Sequence, residues 1–250
     1  MNETKIPWAD YTINQVKGLC PLACSYCYAR RLYKRFKWDE TIRFAPDVFN
    51  DLPKMKAGSR VFVGSTIELF GKWIDPAWMR LTFERVKAHP ELTFIFLTKQ
   101  PKALIEFSPF PDNVWVGVSA TNTQMLMQGC SDLEDVRAKV KFISVEPLLE
   151  WSYSWTESYL VNALNRAKIR WLIIGAQTPR SEKTFPKWAW VREIIEAADT
   201  ANIPVFLKPN LGLLEYSCEG SAPFYKRHQS GTWKIRQEFP SPAHYGQEAK

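Results

Sequence analysis

Three cysteines, Cys20, Cys24 and Cys27, fall within eight positions in the stretch Cys20-Pro21-Leu22-Ala23-Cys24-Ser25-Tyr26-Cys27. Thiolates at these spacings converge on one centre when the chain makes a loop, and soft sulfur ligands select zinc, copper or iron–sulfur clusters. Structural zinc normally takes four ligands. The only histidines, His89, His228 and His244, and the other cysteines, Cys130 and Cys218, are remote in sequence, which makes zinc the less economical choice. Three close cysteines with no evident fourth suit a [4Fe-4S] cluster whose last iron is left to a ligand other than protein, and that open iron is where redox chemistry would occur. The plain alternative, small buried hydrophobes, fits poorly with three cysteines beside Gly18, Pro21 and Tyr26.

A basic cluster follows directly. Arg30, Arg31, Lys34, Arg35 and Lys37 are interleaved with Tyr33, Phe36 and Trp38, on what is expected to be a helix. Cations hold phosphates while aromatic rings stack on exposed bases, so DNA or RNA is admitted as a partner, with Arg30, Arg31, Lys34 and Arg35 as candidate substrate contacts. The competing reading is a solvated helix face whose aromatic residues enter the core. A formal charge of +7 and a pI near 9.1 favour approach to a polyanion, and equally suit ordinary solubilising charge.

These residues need a scaffold, and 250 residues with 46% hydrophobic and 24% charged content suit one large globular domain. Apolar runs at 60–64, 92–98, 114–119, 140–145, 171–175 and 203–208, with a weaker one at 11–16, alternate with helical segments. That rhythm predicts an α/β fold of repeated βαβ units with a parallel sheet. Asp75-Pro76 reads as an N-cap and first helical residue, opening a helix to about residue 89 with Met79, Phe83 and Val86 on one face. A second helix is expected at about 186–201, packing Trp190, Ile194, Ile195 and Ala198. Residues 150–170, with Trp151, Tyr153, Trp155 and Tyr159, read as an excursion plus a short helix, a candidate lid. The tail at 216–250 reads as irregular structure or a docking extension rather than a second domain, leaving 1–215 as the main body.

Residues 1–17 lack an apolar region after a basic start, and no stretch approaches the roughly 18 apolar residues of a membrane span. The cysteine pattern is unlike a secreted disulfide framework. A cytoplasmic protein with no membrane contact is expected.

The pattern Cys-x3-Cys-x-aromatic-Cys, met by Cys20, Cys24, Tyr26 and Cys27, resembles the signature of the radical S-adenosylmethionine (SAM) superfamily. The resemblance implies a partial (β/α) barrel of about six to seven parallel strands, with the cluster loop after the first. It also implies that S-adenosyl-L-methionine chelates the open iron, that an electron cleaves its sulfur–carbon bond, and that a 5′-deoxyadenosyl radical abstracts hydrogen from a substrate. An electron donor such as flavodoxin or ferredoxin goes with that chemistry. The segments Trp8-Ala9-Asp10-Tyr11-Thr12, Val61-Phe62-Val63-Gly64-Ser65, Leu97-Thr98-Lys99-Gln100-Pro101, Trp115-Val116-Gly117-Val118-Ser119 and Val145-Glu146-Pro147-Leu148-Leu149 resemble an uncharacterised radical SAM-like family frequent in phages and bacteria, over about residues 5–210. The run Cys27-Tyr28-Ala29-Arg30-Arg31 is similar to spore photoproduct lyases, radical SAM enzymes that repair DNA.

In parallel βα architectures ligands sit at the carboxyl ends of the strands. After the second apolar strand come Ser65, Thr66 and Glu68, where the superfamily usually binds the SAM amino group, although its double-glycine-acidic sequence is absent here. Ser119 and Asn122 are nominated for the SAM carboxylate or ribose, with Glu146 nearby and Gln177 after the sixth strand. Lys99 and Lys208 join the candidate substrate contacts. For each the alternative is a loop-capping hydrogen bond, or, for Glu146 and Lys99, a structural ion pair. No residue is nominated as a catalytic acid or base. The expected function is a radical SAM enzyme modifying or repairing a nucleic acid or nucleotide. The alternatives are the same chemistry on a peptide or small metabolite, or a non-catalytic zinc or iron–sulfur module.

Overall fold

A computed structural model describes residues 3–152, 157–213, 223–227 and 232–245. The first apolar run is shorter than its sequence suggests. Strand β1 (Tyr11–Ile13) enters the main sheet, but Val16–Lys17 (β2) leaves it to pair antiparallel with Arg43–Phe44 (β3), across helix α1 (Tyr28–Phe36). Then follow β4 (Arg60–Val63), α2 (Pro76–Lys87), β5 (Thr93–Thr98), β6 (Val114–Ala120), α3 (Thr123–Leu133), β7 (Val140–Val145), α4 (Glu157–Arg166), β8 (Ile169–Ile174), α5 (Trp188–Thr200) and β9 (Val205–Leu207). The antiparallel pair β10 (Tyr225–Arg227) and β11 (Trp233–Ile235) and the short α6 (Pro242–Tyr245) complete the order.

The α/β class expected from the sequence is present as a seven-stranded parallel sheet in the order β1-β4-β5-β6-β7-β8-β9. Strands next to each other in sequence along this series are neighbours in space, and β1 and β9 are its edges. An order that runs from β1 to β9 without reversal is that of a (β/α) barrel left open, not of a doubly wound sheet, as expected.

Two compact units divide the chain, residues 1–117 with 136–139, and residues 118–135 with 140–250. In the first, Val61, Val63, Phe94, Ile95 and Phe96 are buried along β4 and β5, the near-continuous apolar pattern of strands covered on both faces. Helix α2 opens as expected: the Asp75 carboxylate accepts from the Ala77 N–H at 2.8 Å, and Pro76 needs no N–H at the first position. Met79 and Val86 are buried, and the Phe83 ring packs 5.3 Å from that of Phe96.

In the second unit, β8 starts earlier than expected, at Ile169, because Lys168 adopts a left-handed turn (φ 53) directly after α4. Strand β9 is shorter than expected because Pro204 has no N–H to pair, although its carbonyl accepts from Leu172. Helix α5 buries Val191, Ile194, Ile195, Ala197 and Ala198, with Trp190 only half-buried. The excursion contains the expected short helix, α4, and buries Trp151, while Tyr153 and Trp155 lie outside the described residues.

The described part of the tail docks rather than wandering. Gln237 bridges Phe206 in antiparallel fashion, and the Leu207 N–H donates to the Arg236 carbonyl at 2.7 Å. The edge strand β9 is thereby covered, which blunts its capacity to pair with another chain. Arg236 is buried and its guanidinium reaches Asp199 (2.8 Å) and Glu238 (2.8 Å). Buried, Arg236 would lose basicity, but hydrogen bonds to Asp199 and Glu238 hold it above its ordinary value.

Candidate functional site

The cysteine loop is set by the departure of β2 from the main sheet. Gly18, at φ 122, lets the chain pass so close to the segment leading into β3 that a Cβ there would lie 2.6 Å from Ile42 Cα and 2.7 Å from the Thr41 carbonyl oxygen. Its N–H donates to the buried Tyr33 hydroxyl at 2.8 Å, and Leu19 N–H donates to the Glu40 carbonyl at 2.9 Å. The loop therefore starts from a fixed point.

At its far end Cys27 is the N-cap of α1, its Sγ accepting from the Arg30 N–H at 3.4 Å, among the N–H groups that a helix start leaves unpaired. The Arg30 guanidinium returns to the Cys20 carbonyl at 2.7 Å, closing the loop on itself. Cys20, Cys24 and Cys27 are half-buried free thiols. Burial, with the charges of Glu68 and Cys24, pushes the Cys20 thiol up, while the backbone N–H groups of Glu68 and Leu22 act the other way. Burial, then the neighbouring Cys24 and Cys27, pushes the Tyr26 phenol up. The Lys99 ammonium lies 5.6 Å from the Tyr26 ring centroid.

Beside the loop, three strand ends meet. Ser65 and Thr66, after β4, both donate their hydroxyls to Asn14 Oδ1, after β1, at 3.1 and 3.3 Å. Tyr28, in the first turn of α1, donates its hydroxyl to the Ser65 carbonyl at 2.8 Å. The buried Glu68 carboxylate accepts from Phe70 N–H (3.0 Å), Thr98 hydroxyl (2.6 Å) and Lys99 N–H (2.7 Å). Glu68 thus ties the loop after β4 to the end of β5. Its negative charge also acts on the Cys20 thiol, pushing it up.

The second unit gathers a separate set. The Glu146 carboxylate, after β7, pairs with the Lys208 ammonium, after β9, and both are half-buried. This replaces the pairing of Glu146 with Lys99 considered from sequence. Gly175 lies between them: a Cβ there would stand 3.1 Å from Lys208 Cδ and 3.2 Å from Glu146 Cγ. Asn210 clamps the chain after β8, donating to the Ala176 carbonyl (2.6 Å) and accepting from the Ala176 N–H (3.2 Å), with the half-buried Gln177 next in sequence. Ser119 is buried in β6. Asn122 caps α3, its Oδ1 accepting from the Met125 N–H at 2.8 Å.

Of the basic cluster, Arg31, Lys34, Arg35 and Lys37 are exposed on or after α1, and Arg30 is half-buried. Its aromatic residues divide: Tyr33 is buried, while Phe36 and Trp38 remain 53% and 45% exposed, so the reading in which all enter the core fails for two of the three. Asn14, Tyr28 and Asn210 were not singled out from the sequence. Asn14 and Asn210 carried the signal applied to the others, a polar residue just past an apolar strand, but Asn14 was hidden by reading its strand as continuing to residue 16.

Among the described residues, no group of three or more His, Cys, Asp or Glu side chains is arranged to hold a single metal ion. A cluster of several irons asks something different, with each thiolate on its own iron atom. Three free thiols on one closed loop, with the Arg30 N–H donating to the Cys27 sulfur, fit that group, since hydrogen bonds to the sulfurs are among the features that tune such clusters.

The sheet and site define a class: a parallel α/β protein carrying a three-cysteine loop just after its first sheet strand. The chain belongs to the family described as a protein of unknown function, DUF5131, whose model matches residues 3–232. No curated protein matches it. Among solved structures its fold is similar to a spore photoproduct lyase mutant with bound AdoMet and dinucleoside spore photoproduct. The TM-score is 0.50 and the identity 14%, over 94% of this chain and 70% of that one. No helix among the described residues is long and apolar enough to cross a membrane.

Proposed function

We propose that this protein is a radical SAM enzyme in which Cys20, Cys24 and Cys27 hold a [4Fe-4S] cluster, and that its substrate is a nucleic acid or nucleotide. The observation that carries the reading is the closed three-cysteine loop beside the ends of β1, β4 and β5, with the Arg30 N–H donating to the Cys27 sulfur. The fold likeness to a lyase solved with AdoMet and a dinucleoside supports the choice of cofactor and substrate class. When bound, the cluster and SAM supply a one-electron cleavage that yields a 5′-deoxyadenosyl radical able to take hydrogen from a substrate. The electron comes from a donor such as flavodoxin or ferredoxin, in the reducing cytoplasm.

The chain's own share is positioning. Ser65 and Thr66 spend their protons on Asn14 Oδ1, which leaves their oxygen lone pairs to accept from an ammonium group such as the SAM amino group. Tyr28 holds the Ser65 backbone in place. Glu68 joins Ser65 and Thr66 at the SAM amino group: the hydrogen bonds from Phe70, Thr98 and Lys99 fix its carboxylate, which keeps an acceptor site for an ammonium group. Ser119, Asn122, Glu146 and Gln177 are the proposed contacts to the SAM carboxylate or ribose, Asn122 through its amide NH2, since its oxygen is used by the α3 cap. Lys99, Lys208, Arg30, Arg31, Lys34 and Arg35 are the proposed substrate contacts.

Anaerobic reconstitution with iron and sulfide, followed by reduction in the presence of SAM, tests the reading. The expected result is 5′-deoxyadenosine, abolished in Cys24→Ala. Retention of zinc without cluster formation would make the loop a non-catalytic staple. Turnover on peptides or small metabolites, with none on DNA or RNA, would move the substrate to those classes.

A further inference from the structure

We infer that the Phe36–Trp38 ring pair and the cations around it form a docking surface for single-stranded nucleic acid. Phe36 and Trp38 are each about half exposed, side by side, and stacked with centroids 5.6 Å apart and planes 21° from parallel. Two large rings left open together on a surface mark an interaction site. Residues 30–38 carry five cations and no acid; Arg30 turns back to the Cys20 carbonyl, and Arg31, Lys34, Arg35 and Lys37 are exposed. The Arg35 guanidinium lies 5.3 Å from the Phe36 centroid. The next acid, Asp39, is engaged by Arg43 at 2.8 Å and by the Thr41 N–H at 2.9 Å.

The surface is pre-set. Lys37 turns the chain in a left-handed conformation (φ 50), and the Trp38 N–H donates to the Tyr33 carbonyl at 3.2 Å. The buried Tyr33 ring meets Trp38 edge-on at 5.3 Å, and its hydroxyl is held by the Gly18 N–H. The rings therefore stand on the residue that anchors the cysteine loop. Charge alone would serve an acidic protein or an anionic membrane. An open aromatic face among cations matches a polymer in which flat bases alternate with phosphates, and only unpaired bases expose those faces.

This deepens the proposed function at its substrate and rests on it for purpose, not for binding. The test is therefore made on the full chain both before and after cluster reconstitution, without SAM or reductant. The probe is a fluorescein-labelled single-stranded DNA, read by anisotropy across a salt series. Phe36→Ala and Trp38→Ala are each expected to weaken binding by about five- to 160-fold, the range of one base–ring stack, with the salt slope unchanged. Lys34→Ala with Arg35→Ala is expected to reduce the log–log salt slope by roughly 0.7 for each phosphate no longer neutralised. Melting of each variant confirms that it folds. Ring variants that bind like wild type, duplex bound as tightly as single strand, or equal affinity for polyglutamate or anionic vesicles would each overturn the proposal. Failure of the cluster to assemble would leave the binding result standing.

Discussion

The Thr98 hydroxyl donates to the Glu68 carboxylate at 2.6 Å, and this contact joins the loop after β4 to the end of β5. A residue at the position where the SAM amino group is expected thus also holds two strand ends together.

Replacing Glu68 by Gln turns one acceptor oxygen into a donor facing buried donors. The expected cost is about 1–3 kcal/mol, the penalty for leaving such a group unsatisfied. Denaturant unfolding of the protein without cofactors should show a lower midpoint for Glu68→Gln. A midpoint equal to wild type would remove Glu68 from this structural role.

Cys130 offers an internal contrast to the loop cysteines. It is 1% exposed in α3, and burial pushes its thiol up to about 12. The thiolate is the reactive form, so iodoacetamide should leave Cys130 unlabelled in the native protein, as mapped by peptide mass. Cys20, Cys24 and Cys27 should become protected together on cluster reconstitution. Cys130→Ala should leave the iron content unchanged.

At Gly18, alanine would meet Ile42 and Thr41 backbone below 3 Å in a left-handed conformation. Strain of this kind costs about 1–3 kcal/mol, to which the clash adds. Gly18→Ala should lower both the melting temperature and the iron bound per chain. Tyr33→Phe, which removes only the acceptor for the Gly18 N–H, should produce a smaller version of the same pair of effects. Full iron incorporation in Gly18→Ala would show that the loop does not depend on this crossing.

Acid should loosen the docked tail. Burial alone would raise the Glu238 carboxyl, but the Lys226 ammonium, the Val205 N–H and Arg236 outweigh it and hold the group below its ordinary value of 4.5. The unfolded chain then binds more protons than the folded one between the two values. The stabilisation from Glu238 is fully present above 4.5 and is lost as pH falls through the depressed folded value. Urea unfolding across this range should show a falling midpoint, and Glu238→Gln should flatten that fall. An equally steep fall in the variant would assign the acid sensitivity elsewhere.

Much of this was legible locally. The cysteine spacing, the Asp75-Pro76 helix start and the exact span of β7 all follow from residues a few positions apart, where covalent geometry and backbone periodicity decide the outcome. The α/β class followed from the same short-range rhythm repeated along the chain.

Other features were decided only by tertiary structure. Lys208 meets Glu146 from 62 positions away, and Asn14 meets Ser65 from 51 positions away. Such partners are chosen by sheet order and register, which set strand ends side by side independently of their spacing in the chain. The departure of β2 from the main sheet, the burial of Arg236 beneath Asp199 and Glu238, and the division of α1's rings into a buried Tyr33 and open Phe36 and Trp38 have the same cause. The sequence by itself determined which three thiols form a loop; the packing of strand ends beside it and the turn after α1 decided which hydroxyls, carboxylates and rings stand around it.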